Sequence, residues 1–265
     1  MREHAETEIA GRGKRIFAVC GKGGVGKTAF TAMLSRALLE SGTAGNLLMI
    51  DADPALGLTH ALGMHAGRTI GQVREAIITA ARLGSDADLA EITGMLDYMV
   101  LEALVEGDDH ALLAMGQSET LGCFCAVNDL LRDAIGVLSR KFDTIVIDGE
   151  AGLEQINRQV MNGLDGLIIL TDASARGVRT VALLKEMVEG RNVIQCGRMG
   201  VVFNRVQGDE AFLARSAREI GIDVLGFVPQ DPHVASYDLV GRSLTELPDN
   251  SAALAAVRGI AASLG

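Results

Sequence analysis

Residues 20–28 read CGKGGVGKT, with Gly21, Gly23, Gly24 and Gly26 closely spaced ahead of a lysine and a threonine. That is the spacing of a loop that wraps phosphate. An apolar run, Ile16 to Cys20, leads into it and a helical-period stretch, Thr28 to Glu40, leads out, which is the context such a match needs. Glycines let the backbone from Gly21 through Val25 to Ala29 curl its N–H groups around the β- and γ-phosphates, and the dipole of the following helix favours the negative charge. Lys27 then meets the β/γ oxygens and Thr28 holds Mg²⁺. Asp148 ends the apolar run TIVID and is placed to hold Mg²⁺ through water, while the DGEAG that follows offers the Gly152 N–H as a γ-phosphate sensor. Asp51 and Asp53, in LLMIDADP, close another apolar run and point to the same crevice. Lys22 is left over: a phosphate loop of this kind needs only Lys27.

A second cluster lies in LGCFCAVNDLLR, where Cys123 and Cys125 precede a predicted helix. A helix N-terminus lowers a thiol's pKa and favours the metal-binding thiolate. In an extended segment, positions i and i+2 face one side. Two thiolates rarely complete a soft-metal site, but a two-fold dimer makes four, a set that suits Zn²⁺ or Ni²⁺. The other reading of the pair is two small buried hydrophobes. Cys20 and Cys196, each in or beside a predicted strand, read as core residues.

The elements that must position these groups follow from the hydrophobic pattern. Ile16–Cys20, Leu47–Ile50, Ala111–Met115, Thr144–Ile147, Leu167–Leu170, Gly200–Phe203 and Val224–Val228 read as strands, with amphipathic stretches between them. This predicts an α/β fold, a P-loop NTPase with a mostly parallel sheet of about seven or eight strands flanked by helices. In the helix from Thr28 to Glu40, Phe30, Met33, Leu34, Ala37 and Leu38 form the apolar face and Gly42 the stop. A second helix should bury Val127, Leu130, Leu131, Ala134, Ile135 and Leu138. Residues 1–13 read as a loose tail, 14–265 as one domain, and about 65–109 as a mainly helical insertion.

The chain has 265 residues, 48% hydrophobic, with 24 basic against 34 acidic side chains and a net charge of -10. Such a balance repels nucleic acid and anionic lipid, so neither is expected as a partner. No stretch of eighteen apolar residues and no apolar leader is present, and a cytoplasmic location is expected.

KGGVGKT with its early lysine, DADP, DGEAG and the FNRV at 203–206 together resemble the deviant Walker A ATPases, the class of the Min and Par positioning proteins, the nitrogenase iron protein and the nickel-insertion ATPases. The resemblance runs from about residue 14 to the end. It implies a homodimer closed over two ATP molecules, in which Lys22 crosses to the partner's phosphates like an arginine finger delivered in trans. It also implies that Asp53 positions the attacking water, that Asp51 supports Mg²⁺, and that Asn204 reads the adenine edge beside Pro229 of the VPQD segment. Ala29 stands where relatives often carry a hydroxyl. No N-K-x-D guanine signature occurs, which favours ATP over GTP.

EALVEGDDHALLAMGQSETLGCFC, DGEAGLEQINR and TDASARGVRT further resemble the CooC and AcsF type, the maturation ATPases of carbon monoxide dehydrogenase and acetyl-CoA synthase. That resemblance implies that Cys123 and Cys125 of each subunit bind Ni²⁺ or Zn²⁺ at the dimer interface and that the client is one of those two apoenzymes. Two alternatives remain. A reductase like the nitrogenase iron protein needs a cluster cysteine soon after Asp148, and none occurs before Cys196. A Min- or Par-type positioning ATPase needs a basic surface or a basic C-terminal helix, and SAALAAVRGIAASLG carries one Arg and no Lys.

Overall fold

The computed structural model describes residues 13–83, 94–117, 125–149, 163–191 and 195–264. Its centre is an eight-stranded sheet: β1 (Arg15–Gly21), β2 (Leu47–Asp51), β3 (Leu104–Glu106), β4 (His110–Ala114), β5 (Thr144–Asp148), β6 (Gly163–Thr171), β7 (Gln195–Val206) and β8 (Asp223–Pro229). The spatial order is β3-β4-β2-β5-β1-β6-β7-β8, and every pairing is parallel except β3 with β4.

Parallel strands covered on both faces read as continuous apolar runs, and β2 and β5 are buried at every residue. Alternate side chains enter opposite layers. Ala18, Cys20, Ile50, Ile145 and Ile147 face one core, whereas Val19, Met49, Val146 and Ile168 face the other. The first core is closed by α3 (Ile70–Leu83), α4 (Leu96–Glu102), α5 (Cys125–Ser139), α6 (Ala175–Arg191) and α7 (Glu210–Ile220). The second lies under α1 (Lys27–Glu40) and α9 (Ala252–Ser263), with the short α2 (Gly57–Ala61) at its margin and α8 (Pro232–Leu239) beside them. On α1, Phe30, Met33, Leu34, Ala37 and Leu38 are buried as expected, and Gly42 leaves the helix at φ 65°.

One strand was not expected, and one expectation needs correction. Besides α3 and α4, the stretch read as mainly helical carries a short strand, β3, whose residues Leu104 to Glu106 pair antiparallel with Leu113 to Ala111. Three residues are too few for a periodic signal; a tight turn, with the Gly107 N–H donating to the His110 carbonyl, makes the hairpin. On α5, Leu131, Ala134, Ile135 and Leu138 are buried, but Leu130 is 38% exposed. At about 100° per residue it falls off the stripe that its neighbour Leu131 occupies.

Candidate nucleotide site

Among the described residues, the phosphate-site groups stand at the carboxyl ends of β1, β2 and β5. Gly21 ends β1 at φ 142°, and a Cβ there would stand 2.0 Å from the Leu170 carbonyl oxygen. Only glycine fits between β1 and β6 at this point. Gly26 starts α1 at φ 89° without a side-chain cap, so the helix N-terminus remains available to a ligand. Within the loop, Lys27 Nζ reaches back to the Lys22 carbonyl at 3.4 Å.

The register places Asp51 directly opposite Asp148 on adjacent strands. Asp148 is 1% exposed. Its Oδ1 accepts from Thr31 Oγ1 at 3.1 Å, and the nearby Thr28 side chain helps to hold the carboxyl's charged form, while Oδ2 has no partner among the described residues. Burial drives this carboxyl up to about 7, and the neighbouring Asp51 charge adds to the effect. An unsatisfied buried oxygen beside Thr28 is what a cation would satisfy, so these residues fit Mg²⁺.

Asp51 is fully buried and differently engaged: Oδ1 accepts from the Asp53 N–H at 3.2 Å, and Oδ2 from Thr59 N at 3.0 Å and Oγ1 at 3.1 Å. It thereby ties α2 and the turn carrying Asp53 to the end of β2. Asp53 Oδ1 in turn accepts from Ala55 N at 2.9 Å. Leu56 enters α2 at φ 57°, and Gly57 lies beside Thr28, where a Cβ would make ordinary van der Waals contact with Thr28 Cγ2 at 3.4 Å.

Lys22 lies across from β6. Its Nζ is 3.0 Å from Asp172 Oδ2, an ion pair with both partners about one-third exposed. The Ser174 hydroxyl, more than Lys22, holds the Asp172 carboxyl below its usual range. Sequence reasoning missed Asp172, because only the β1–β6 pairing brings it to the loop.

A cavity of about 400 Å³ opens beside the phosphate loop, and Gly26, Ala29, Asn204 and Pro229 all line it. Asn204 Nδ2 donates to the Val25 carbonyl at 2.8 Å. Asp231 forms part of the wall; Ser251 Oγ donates to it at 2.6 Å and the N–H groups of His233 and Ala253 at 2.8 and 3.0 Å. Burial alone would raise the Asp231 carboxyl, but these donors outweigh it and hold it low. Arg205 escaped the sequence reading, though FNRV contained it, whereas Asp231 closes the VPQD segment that was expected to flank the base.

This arrangement is a phosphate loop with a buried carboxylate beside its threonine and a base-sized cavity on its flank. The model of the CobQ/CobB/MinD/ParA nucleotide binding domain matches residues 16–244. The chain belongs to that family. This MinD/ParA-type P-loop ATPase is 37% identical over 250 residues to an uncharacterised ATP-binding protein of Methanocaldococcus jannaschii, covering 93% of this chain and 96% of the relative. It is 30% identical over 244 residues to the carbon monoxide dehydrogenase accessory protein CooC of Rhodospirillum rubrum, 87% and 89% of the two chains. Among solved structures, a ParA family ATPase from Chlorobium tepidum superposes with a TM-score of 0.69 at 20% identity, over 96% of this chain and 99% of that one. ATP and Mg²⁺ are accordingly its expected ligands.

The Cys-x-Cys pair is only half accessible to description: α5 begins at Cys125, whereas Cys123, like Gly152, lies outside the described residues. No group of three or more His, Cys, Asp or Glu side chains able to hold a metal occurs among the described residues. Cys20 is fully buried, and burial drives its thiol up to about 12. Cys196 is half-buried, its Sγ donating to the Arg198 carbonyl at 3.0 Å. No described helix is long and apolar enough to cross a membrane.

Proposed function

We propose that the protein is a homodimeric, Mg²⁺-dependent ATPase that inserts nickel into a carbon monoxide dehydrogenase or acetyl-CoA synthase apoenzyme. The observation that carries this reading is the sequence pair Cys123 and Cys125, of which Cys125 begins α5, in a P-loop ATPase similar over most of its length to a carbon monoxide dehydrogenase accessory protein. Four thiolates from two subunits form a tetrahedral set for one Ni²⁺ or Zn²⁺. Mg²⁺ held by Thr28 and Asp148, with Asp51 in support, would neutralise charge on the phosphates. Lys27 supplies positive charge at the loop, Asp53 orients the water, and Asp51 fixes Asp53 from behind. Lys22 leaves Asp172 to reach the partner's nucleotide; an ion pair this exposed is worth about 0–1 kcal/mol, so little opposes its departure.

A positioning ATPase of the Min or Par type is the second reading, supported by the likeness to the ParA structure. Against it, α9 buries Leu254, Val257 and Ile260 in the core and carries a single Arg, so this helix itself is not a basic amphipathic one.

Metal analysis with mass measurement, with and without ATP, separates the two. Nickel insertion predicts one Ni²⁺ or Zn²⁺ per dimer and its loss when Cys123 and Cys125 are both changed to Ser. Undiminished binding in the double variant, or one ion held by each isolated subunit, would sink the reading.

A further inference from the structure

Three carbonyls of the phosphate loop are held by side chains. Lys27 takes the Lys22 oxygen, Asn204 Nδ2 takes that of Val25 at 2.8 Å, and Arg205 Nη1 takes that of Gly24 at 3.2 Å. The last two donors are adjacent in sequence, which a regular strand does not allow, because successive side chains point to opposite faces. The fold resolves this with an irregularity at the end of β7. Arg205 adopts φ 56°, in the left-handed region, and the pairing with β8 passes from Asn204↔Val228 to Val206↔Pro229, leaving Arg205 unpaired. A bulge of this kind re-aims a side chain, and here it brings Arg205 to the side of the sheet end that Asn204 already faces. A left-handed non-glycine residue persists where its surroundings hold it, and such residues collect at ligand sites.

We propose that Arg205 is a positioning residue for the nucleotide: with Asn204 it clamps the carbonyl side of the phosphate loop and so presets the loop's N–H groups for phosphate. Each trans peptide points its N–H away from its C=O. Drawing the Gly24 and Val25 carbonyls towards β7 therefore turns the Val25 and Gly26 N–H groups the other way, as an anion-binding loop requires. The clamp is closely fitted, since a Cβ on Gly26 would stand 2.9 Å from Asn204 Nδ2 and 3.4 Å from Arg205 Nη2. A loop ordered before the ligand arrives loses less freedom on binding, so the effect belongs in affinity. Arg205 and Asn204 also line the adjoining cavity, which makes the clamp the link between its base and phosphate ends.

Arg205→Gly and Arg205→Asn test this directly, because both residues suit left-handed backbone and neither reaches the Gly24 carbonyl with a cation. Losing one charge-assisted hydrogen bond to the loop should raise the Kd for MgADP, read by isothermal titration, about tenfold. The same loss should appear in the KM for MgATP, with kcat changing far less, and Arg205→Lys should recover most of it. If the arginine merely occupies the bulge, glycine is at least as good there, and both variants will bind MgADP like the wild type. That result overturns the proposal. So does a fall in kcat at unchanged KM, which would place Arg205 in the chemistry, or a lysine variant no tighter than the glycine one. Should the glycine variant fail to fold, the asparagine variant decides on the same readings.

Discussion

Changing Asp148 to Asn removes a charge that the fold holds in a dry site. The carboxyl rises from 3.8 to about 7, chiefly by desolvation. With about 1.4 kcal/mol per unit, the ionised form destabilises the nucleotide-free protein by about 4 kcal/mol once the pH exceeds both values. The sign follows from proton counting. Between about 4 and about 7 the folded state holds the proton and the unfolded state has lost it, so stability falls as the pH rises through that window and levels off above it. Asparagine keeps an oxygen for Thr31 but leaves an N–H₂ where Oδ2 has no partner among the described residues, a loss of about 1–3 kcal/mol. The variant should therefore gain a net ~2 kcal/mol at pH 8 without Mg²⁺, and lose about 1–2 kcal/mol near pH 4, where the charge penalty has nearly vanished and the unpaired amide remains. Urea unfolding of both proteins across that range, in chelator, measures the difference. Asp51 also has a raised pKa, but it remains in both proteins and largely cancels. MgADP should then stabilise the wild type strongly and the variant weakly. A variant less stable than wild type at pH 8, or a gap that does not widen with pH, would refute the reasoning.

Asp53→Ala should bind MgATP and stall hydrolysis, and a phosphate-release assay that finds wild-type turnover would remove Asp53 from the mechanism. Lys22→Ala should leave MgADP binding by the single subunit nearly unchanged but reduce ATP-dependent association in light scattering; Asp172→Asn, which frees Lys22, should leave association equal or stronger. Thr59→Val removes one of three bonds to Asp51 and strands part of a buried carboxylate, so it should lower stability by about 1–3 kcal/mol in urea melts. Gly21→Ala places a methyl where the Leu170 carbonyl oxygen stands 2.0 Å away, and should cost more than about 3 kcal/mol or prevent folding, as solubility and circular dichroism will report.

The groups at the strand ends were legible in the sequence because each lies beside a strong local signal. Gly21, Lys27 and Thr28 interrupt a strand–helix junction, and Asp51 and Asp148 each close an unbroken apolar run. What was not legible depends on pairing. Asp172 meets Lys22 only because β6 lies next to β1, and Arg205 meets Gly24 only because β7 bulges at its end. Neither residue type nor spacing announces such a contact. Leu130 shows the converse failure, an apolar side chain next to the buried stripe that local periodicity could not tell from a member of it. The short β3 was invisible for want of length.

The strand order also has a consequence for the chain's synthesis. β1 is made first, yet it ends up in the interior of the sheet, with Arg15 beside Thr144 and Phe17 beside Gly166. The whole stretch from Gly21 to Thr144 must leave the ribosome before either neighbour exists. Until then the apolar segment IFAVC has two unpaired edges and no permanent cover. Synthesis proceeds at about 5–20 residues per second, so that interval lasts several seconds at least. The nascent phosphate loop thus spends its first moments attached to a strand with nothing to pair with. A chaperone that holds the first forty residues should raise the yield of folded protein more than one that acts after release.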